Sequence, residues 1–176
     1  MGTFQECMAE YKSQLAKGII QQAYRGLMEY FSDLRTHFQK RYPETEVSGS
    51  VYFGYMDMTY FAVIPAFLKQ RKLKVAIVFL HEAFRFEVWL SGYNRQVQAK
   101  HWRLIRDSGW NKYRLVDDPL KADGIMEHLL VETPDFNNPA ALTDRIENGT
   151  REFIDDIEKF FLNDSDSVLL NGKVTK

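Results

Sequence analysis

Between Ser50 and Gly92 the chain sets three β-type runs one after another, and that succession leaves few folds open. The runs are Ser50–Ile64, Lys74–His81 and Phe84–Ser91. The second and third are separated by so little sequence that they can only pair as an antiparallel hairpin. With Glu82-Ala83 as the turn, Phe79, Ile77 and Val75 face Phe86, Val88 and Leu90, a wholly apolar set. The opposite set then brings Leu80, Val78 and Ala76 against Arg85, Glu87 and Trp89, because side chains alternate between faces along a strand. The turn has no Asn-Gly or other glycine signal. In the first run both parities are largely apolar, so a central strand covered on both sides is expected, with Gly54 marking a bulge or a close approach.

Helical periodicity flanks this block. Phe4, Met8, Tyr11 and Leu15 step by four and three, and Gly18 ends that helix. A longer stripe follows at Ile20, Tyr24, Leu27, Phe31, Leu34 and Phe38, stopped by Tyr42-Pro43. Pro65 can open a single helical turn after the first run. Asn94 can cap a helix to about Arg106, with Val97, His101, Leu104 and Ile105 inward. Tyr113–Val116 reads as a short fourth strand and Ala122–Leu130 as a helix. Asn138 and Pro139 open a last helix with Leu142, Ile146, Phe153, Ile157 and Phe160 or Phe161 on its apolar stripe. The fold class is therefore α+β: an antiparallel three-stranded meander plus a short fourth strand, packed by long N-terminal and C-terminal helices. Residues 1–162 are expected to form a single domain and 163–176 a polar, flexible tail.

The 176 residues suffice for one core, and 14% aromatic residues suit a core of large rings. Cys7 is the only cysteine, which excludes an internal disulfide and fits a reducing compartment. MGTFQECMAEYKS lacks the apolar stretch of a signal peptide, and runs such as VAIVFL are too short to span a bilayer. A cytoplasmic protein with no membrane partner is expected. The net charge of −1 hides an asymmetry: residues 1–114 hold 17 basic against 10 acidic side chains, and residues 115–176 hold 6 against 14. The acidic C-terminal helix should lie against the basic body or face water.

No phosphate loop, HExxH, CxxC or GxSxG is present, and His37, His81, His101 and His128 are dispersed in sequence. No metal and no cofactor is expected on these grounds. The sharper candidates are Asp57, Arg85 and Glu87, charges set among aromatics, with Tyr60 and Trp89 as walls of a polar site. A charge pair in such surroundings is costly unless hydrogen-bonded, so an internal salt bridge is the competing reading. Arg95, Lys100, Trp102, Arg103 and Arg106 fall in a basic stretch interleaved with aromatics. Basic groups neutralise phosphates and rings stack on bases, yet an Arg-rich outer helix face gives the same pattern, and the near-neutral overall charge disfavours strong nucleic-acid binding.

GYMDMTYF (Gly54–Phe61), RKLKVAIVF (Arg71–Phe79), RFEVWLSGYN (Arg85–Asn94), WNKY (Trp110–Tyr113) and YRGLMEYFSDLRTHF resemble a family of uncharacterised bacterial proteins of unknown function, from Tyr11 to about Leu162. That resemblance transfers no site. The order helix, meander, helix, strand is also similar to the restriction-endonuclease-like core. There an acidic residue on the second strand and an acidic-x-Lys pair on the third hold Mg²⁺. Here KVAIVFLH has no carboxylate, and Glu87-Val88-Trp89 has Trp in the Lys position, which implies a degenerate, inactive member. The expected function is a non-catalytic binding or interaction module. The alternative is an enzyme or degenerate endonuclease-like domain with a polar site around Asp57, Arg85 and Glu87.

Overall fold

The structure is a computed structural model describing residues 2–171, with side chains to residue 163. In chain order the elements are α1 (Phe4–Ala16), α2 (Ile19–Arg41), β1 (Glu46–Val47), β2 (Met58–Ile64), α3 (Ala66–Gln70), β3 (Leu73–Leu80), β4 (Arg85–Gly92), α4 (Arg95–Ser108), β5 (Arg114–Leu115), β6 (Met126–Val131) and α5 (Pro139–Asn171). The described strands form one antiparallel sheet in the order β1-β2-β3-β4-β6-β5. The α+β class holds, and the sheet is wider than a meander with one extra strand.

The β3–β4 hairpin has the register its side-chain parity demands. Phe79 pairs with Phe86, Ile77 with Val88 and Val75 with Leu90, while Leu80, Val78 and Ala76 lie opposite Arg85, Glu87 and Trp89. The turn contains no glycine, and Phe84 itself takes the left-handed conformation, φ 52°.

Besides the two-residue β1, which forms where only a turn is expected, two elements differ from the sequence reading. The first of the three long strands, β2, begins at Met58, not Ser50. Gly54 (φ 66°) and Met56 (φ 62°) turn the backbone left-handed, so the chain folds back and Tyr52 exchanges hydrogen bonds with Tyr60 at 2.8 and 3.0 Å. A Cβ on Gly54 would lie 2.2 Å from the Met58 carbonyl oxygen, so only glycine fits this turn. Asp57 is thereby a turn residue, and its Oδ1 accepts from the Tyr55 N–H at 2.8 Å. Second, the segment expected as a helix over Ala122–Leu130 holds the strand β6. The outer edge of β4 carries unpaired N–H and C=O groups, and β6 fills it, with Ile125 N–H donating to the Leu90 carbonyl at 2.6 Å just before the ladder. β5 then pairs with β6 at the sheet edge.

The helices α2, α4 and α5 pack on one face of the sheet. Phe31, Leu34 and Phe38 of α2 and Leu142 and Ile146 of α5 cover Phe61, Ile77, Phe79 and Phe86. Ile105 of α4 and Phe153, Ile157 and Phe161 of α5 cover Val75, Val88 and Leu90. Each such side chain contributes about 1.5–3 kcal/mol of burial. Among the described residues, the cluster on the other face (Ala76, Val78 and Trp89, with Met58, Tyr60 and Leu80 half-covered) holds no helical side chain. The expected central strand, β2, does lie between β1 and β3, and on this face its Ala62 and Ile64 are buried while Met58 and Tyr60 are half-covered, so its cover there is partial.

The basic–acidic asymmetry resolves into contacts. Asp156 accepts from Tyr113 Oη at 2.6 Å and pairs with Lys112 Nζ at 2.5 Å. Glu147 lies 2.6 Å from His37 Nε2 and also accepts from Tyr42. The helix α5 continues to Asn171 through the start of the expected tail, and 172–176 lie outside the described residues. No described helix is long and apolar enough to cross a membrane.

Candidate ligand site on the open sheet face

Side chains of one parity on β2, β3 and β4 form the floor of a concavity of about 370 Å³. Ala76, Val78 and Trp89 lie at its base, and Tyr60 and Tyr52 form one wall with ring centroids 5.0 Å apart. The fold-back after Tyr52 is what brings that second ring across from β2. Burial, then the nearby Tyr52 and Asp123, raises the pKa of the Tyr60 phenol above its ordinary value, so it stays a protonated donor. Lys74 lies at the rim, its Nζ 5.7 Å from the centre of the Tyr60 ring. It is half-buried and makes no ion pair among the described residues.

The opposite rim is built by the start of α4 and the loop before β6. Asn94 Oδ1 caps α4 by accepting from Val97 N–H at 2.9 Å. Gln98, 2% exposed, donates through Nε2 to the Pro119 and Ala122 carbonyls, both at 2.8 Å. Its Oε1 accepts from Gly92 N–H at 3.3 Å. One amide thus ties strand end, helix and loop together. Ser91 Oγ donates to the Asp123 carbonyl at 3.0 Å, and Arg95 Nη2 lies 3.2 Å from Asp123 Oδ1.

The predicted residues are distributed unevenly around this concavity. Tyr60, Trp89 and Arg95 line it. Arg85 and Glu87 do not, but they act on it through Trp89. Glu87 is 4% exposed; its Oε1 accepts from Arg85 Nε at 2.7 Å and Nη2 at 2.5 Å, and its Oε2 accepts from Trp89 Nε1 at 2.7 Å. Alternate residues on one strand thereby form a ladder that fixes the indole against the sheet. Asp57 is apart from it, in the turn after Gly54, where the backbone N–H groups of Met58 and Tyr55 hold its carboxyl below the usual range. Glu127, opposite Trp89 on β6, is half-buried, and burial followed by the charge of Glu87 pushes its carboxyl upward.

The basic helix presents little of its aromatic half. Trp102 is half-buried and donates from Nε1 to the Val116 carbonyl at 2.8 Å, with the Arg106 guanidinium 4.8 Å over its ring. Arg106 also pairs with Asp107 at 2.7 Å. Lys100 and Arg103 are exposed.

Lys74, Tyr52, Gln98 and Asp123 were not among the candidates from sequence. Lys74 shares strand parity with Ala76 and Val78 and could have been found by counting. Tyr52 and Asp123 required the fold-back and the strand β6. Among the described residues, no group of three or more His, Cys, Asp and Glu is placed to hold a metal ion.

A single antiparallel sheet, with helices stacked on one face and an aromatic concavity on the other, defines an α+β protein. By sequence the chain belongs to the family described as Domain of unknown function (DUF7000), whose model matches residues 4–161. No curated protein and no solved structure matches it, and the likeness to the restriction-endonuclease-like core is not shown.

Proposed function

We propose that the chain is a non-catalytic binding module of the bacterial cytoplasm, and that its ligand is a small molecule carrying a flat ring and an anionic group. The observation that carries this reading is Lys74: a half-buried lysine whose ammonium has no carboxylate partner among the described residues, at the edge of an aromatic-walled concavity. A cation so placed gains by pairing with a carboxylate or phosphate that the protein does not itself supply. Tyr52, Tyr60 and Trp89 offer ring faces for a planar group, worth about 0.5–1.5 kcal/mol per aromatic pair beyond area burial. The volume falls within the range of roughly 300–1,000 Å³ usual for small-ligand sites. An exposed free thiol at Cys7 suits the cytoplasmic setting.

The enzyme reading around Asp57, Arg85 and Glu87 has less behind it. Asp57 is committed to its own turn, and Glu87 is saturated by Arg85 and Trp89.

Calorimetric titration with a panel of aromatic carboxylates and nucleoside monophosphates tests the proposal. A member of the panel should bind wild type, and Lys74→Met and Tyr60→Ala should each weaken it at least about tenfold, roughly 1.4 kcal/mol. Binding untouched by both substitutions, or no binding by any member, would defeat it.

A further inference from the structure

The helix α1 is fully formed yet buries none of its side chains fully, with only Gln14 and Leu15 at its C-terminal end half-buried. Thr3 caps it, with Glu6 N–H donating to Thr3 Oγ1 at 3.3 Å and Thr3 N–H donating back to Glu6 Oε2 at 2.6 Å. None of its 13 residues is buried. The apolar stripe is open to water: Phe4 is 80%, Met8 43% and Tyr11 55% exposed. A helix of this length is marginal on its own, so its stability has to come from packing of the apolar face. The stripe continues past Gly18 onto Ile19, 68% exposed, at the start of α2.

The same chain holds an apolar groove of about 630 Å³, and no residue of α1 lines it. Ile20, Tyr24 and Leu27 of α2 form one wall, and Met56, Phe84 and Phe136 the other. Met56 is 49%, Phe84 57% and Phe136 38% exposed. Glu29 and Asp33, one turn apart, line the α2 side, and neither pairs with a cation among the described residues. On α1, Lys12 adjoins the apolar stripe and is likewise without an ion pair among the described residues.

We propose that this groove receives α1 of a second copy of the chain, each protomer giving one helix and taking one, in a two-fold symmetric dimer. Anchors at Phe4, Met8 and Tyr11 have the i, i+4, i+7 spacing by which amphipathic helices fill apolar grooves. A symmetric pair of this kind uses the same two patches twice, so helix and groove must both belong to every chain, as they do here. Taking about 200 Å² for a fully exposed large apolar side chain, the stripe and groove residues together offer on the order of 800 Å² per protomer. That is about the amount each partner contributes to a standard stable interface. Lys12 on the helix is opposite in charge to Glu29 and Asp33 on the groove, while the two carboxylates of α1 are held within the helix, Glu6 by Thr3 and Glu10 by Gln14.

Sedimentation equilibrium of the full chain should give twice the chain mass at micromolar concentration. Phe4→Glu/Tyr11→Glu, and independently Phe84→Glu, should each shift the mass to that of one chain while the near-ultraviolet spectrum of the core persists. Site-directed crosslinking keeps the test independent of variants that fail to fold. Cys7 lies on α1 between Phe4 and Tyr11, and Ala23 lines the groove. In Ala23→Cys, mild oxidation should yield a covalent dimer whose mass-spectrometric map contains a disulfide between Cys7 of one chain and the thiol introduced at position 23 of the other. A wild type of single-chain mass throughout the micromolar range would overturn the proposal. So would a dimer unchanged by both sets of glutamate substitutions, or an oxidised dimer without that linkage.

Discussion

Removing the Glu87 carboxylate measures the ladder that fixes Trp89. In Glu87→Leu the Trp89 indole N–H loses its acceptor and the Arg85 guanidinium loses two hydrogen bonds. A buried donor left without a partner costs about 1–3 kcal/mol. Breaking a fully buried ion pair costs about 3–5 kcal/mol, but the Arg85 side chain is 35% exposed and can recover water, so about 1–2 kcal/mol is the fitting share. Leucine regains some apolar burial. The net expectation is a loss of about 2–3 kcal/mol, a large part of the roughly 5–15 kcal/mol available to a domain. Urea unfolding at neutral pH, followed by circular dichroism, reads this as a lower midpoint with an unchanged slope. The companion variant Arg85→Leu/Glu87→Leu removes a guanidinium left with only the longer contact to Glu132 at 3.8 Å, and should cost less than Glu87→Leu alone. A loss under about 0.5 kcal/mol in the single variant, or a double variant worse than the sum of both singles, would refute the ladder as a stabilising unit.

Gly92→Ala should destabilise by about 1–3 kcal/mol, because the new Cβ would lie 2.6 Å from the backbone nitrogen of Gln98, which cannot step aside without moving α4; thermal melting reads it. Thr150→Val should raise stability by about 1 kcal/mol, since the Thr150 hydroxyl is 0% exposed and has no hydrogen-bond partner among the described residues, and the urea midpoint should rise accordingly. Burial lowers the pKa values of His81 and His101 below 6.5, so the unfolded chain binds protons first as the medium is acidified. Stability should therefore be full above pH 6.5 and decline as pH falls below it. Burial alone would raise the carboxyls of Glu147 and Asp156, but Tyr42 with His37, and Lys112 with Tyr113, outweigh it and hold both below their ordinary values. They should add a second decline below about pH 4.5. Chemical unfolding at stepped pH checks both, and His81→Gln/His101→Gln should flatten the upper decline alone.

How much of this was legible in the chain depends on the range of the interaction that decides each element. The β3–β4 register follows from side-chain parity and a turn too short for any other pairing, so both sheet faces could be assigned residue by residue. The α5 stripe of Leu142, Ile146, Phe153 and Ile157 is local in the same sense. Parity failed over Ser50–Asp57 because both alternate sets are apolar, and nothing local distinguishes a continued strand from one that doubles back at Gly54. It failed again at Met126–Val131, where the deciding term is the unfilled edge of β4, far away in sequence.

The site inherits that division. Tyr60 and Trp89, which line the concavity, could be placed on one face by counting because they lie on the well-determined hairpin and its neighbour. Asp57 was assigned to a sheet face only because the count was carried through a turn. Arg85 and Glu87 had been weighed as either a salt bridge or a site, and the geometry makes those compatible. Glu87 is buried against Arg85, whose outer side stays open to water, and Glu87 also holds the indole that floors the concavity. A structural charge pair can therefore govern the proposed binding surface without lining it. On that argument Glu87→Leu should reduce both folding stability and ligand affinity, whereas Lys74→Met should reduce affinity alone, because Lys74 holds no carboxylate among the described residues.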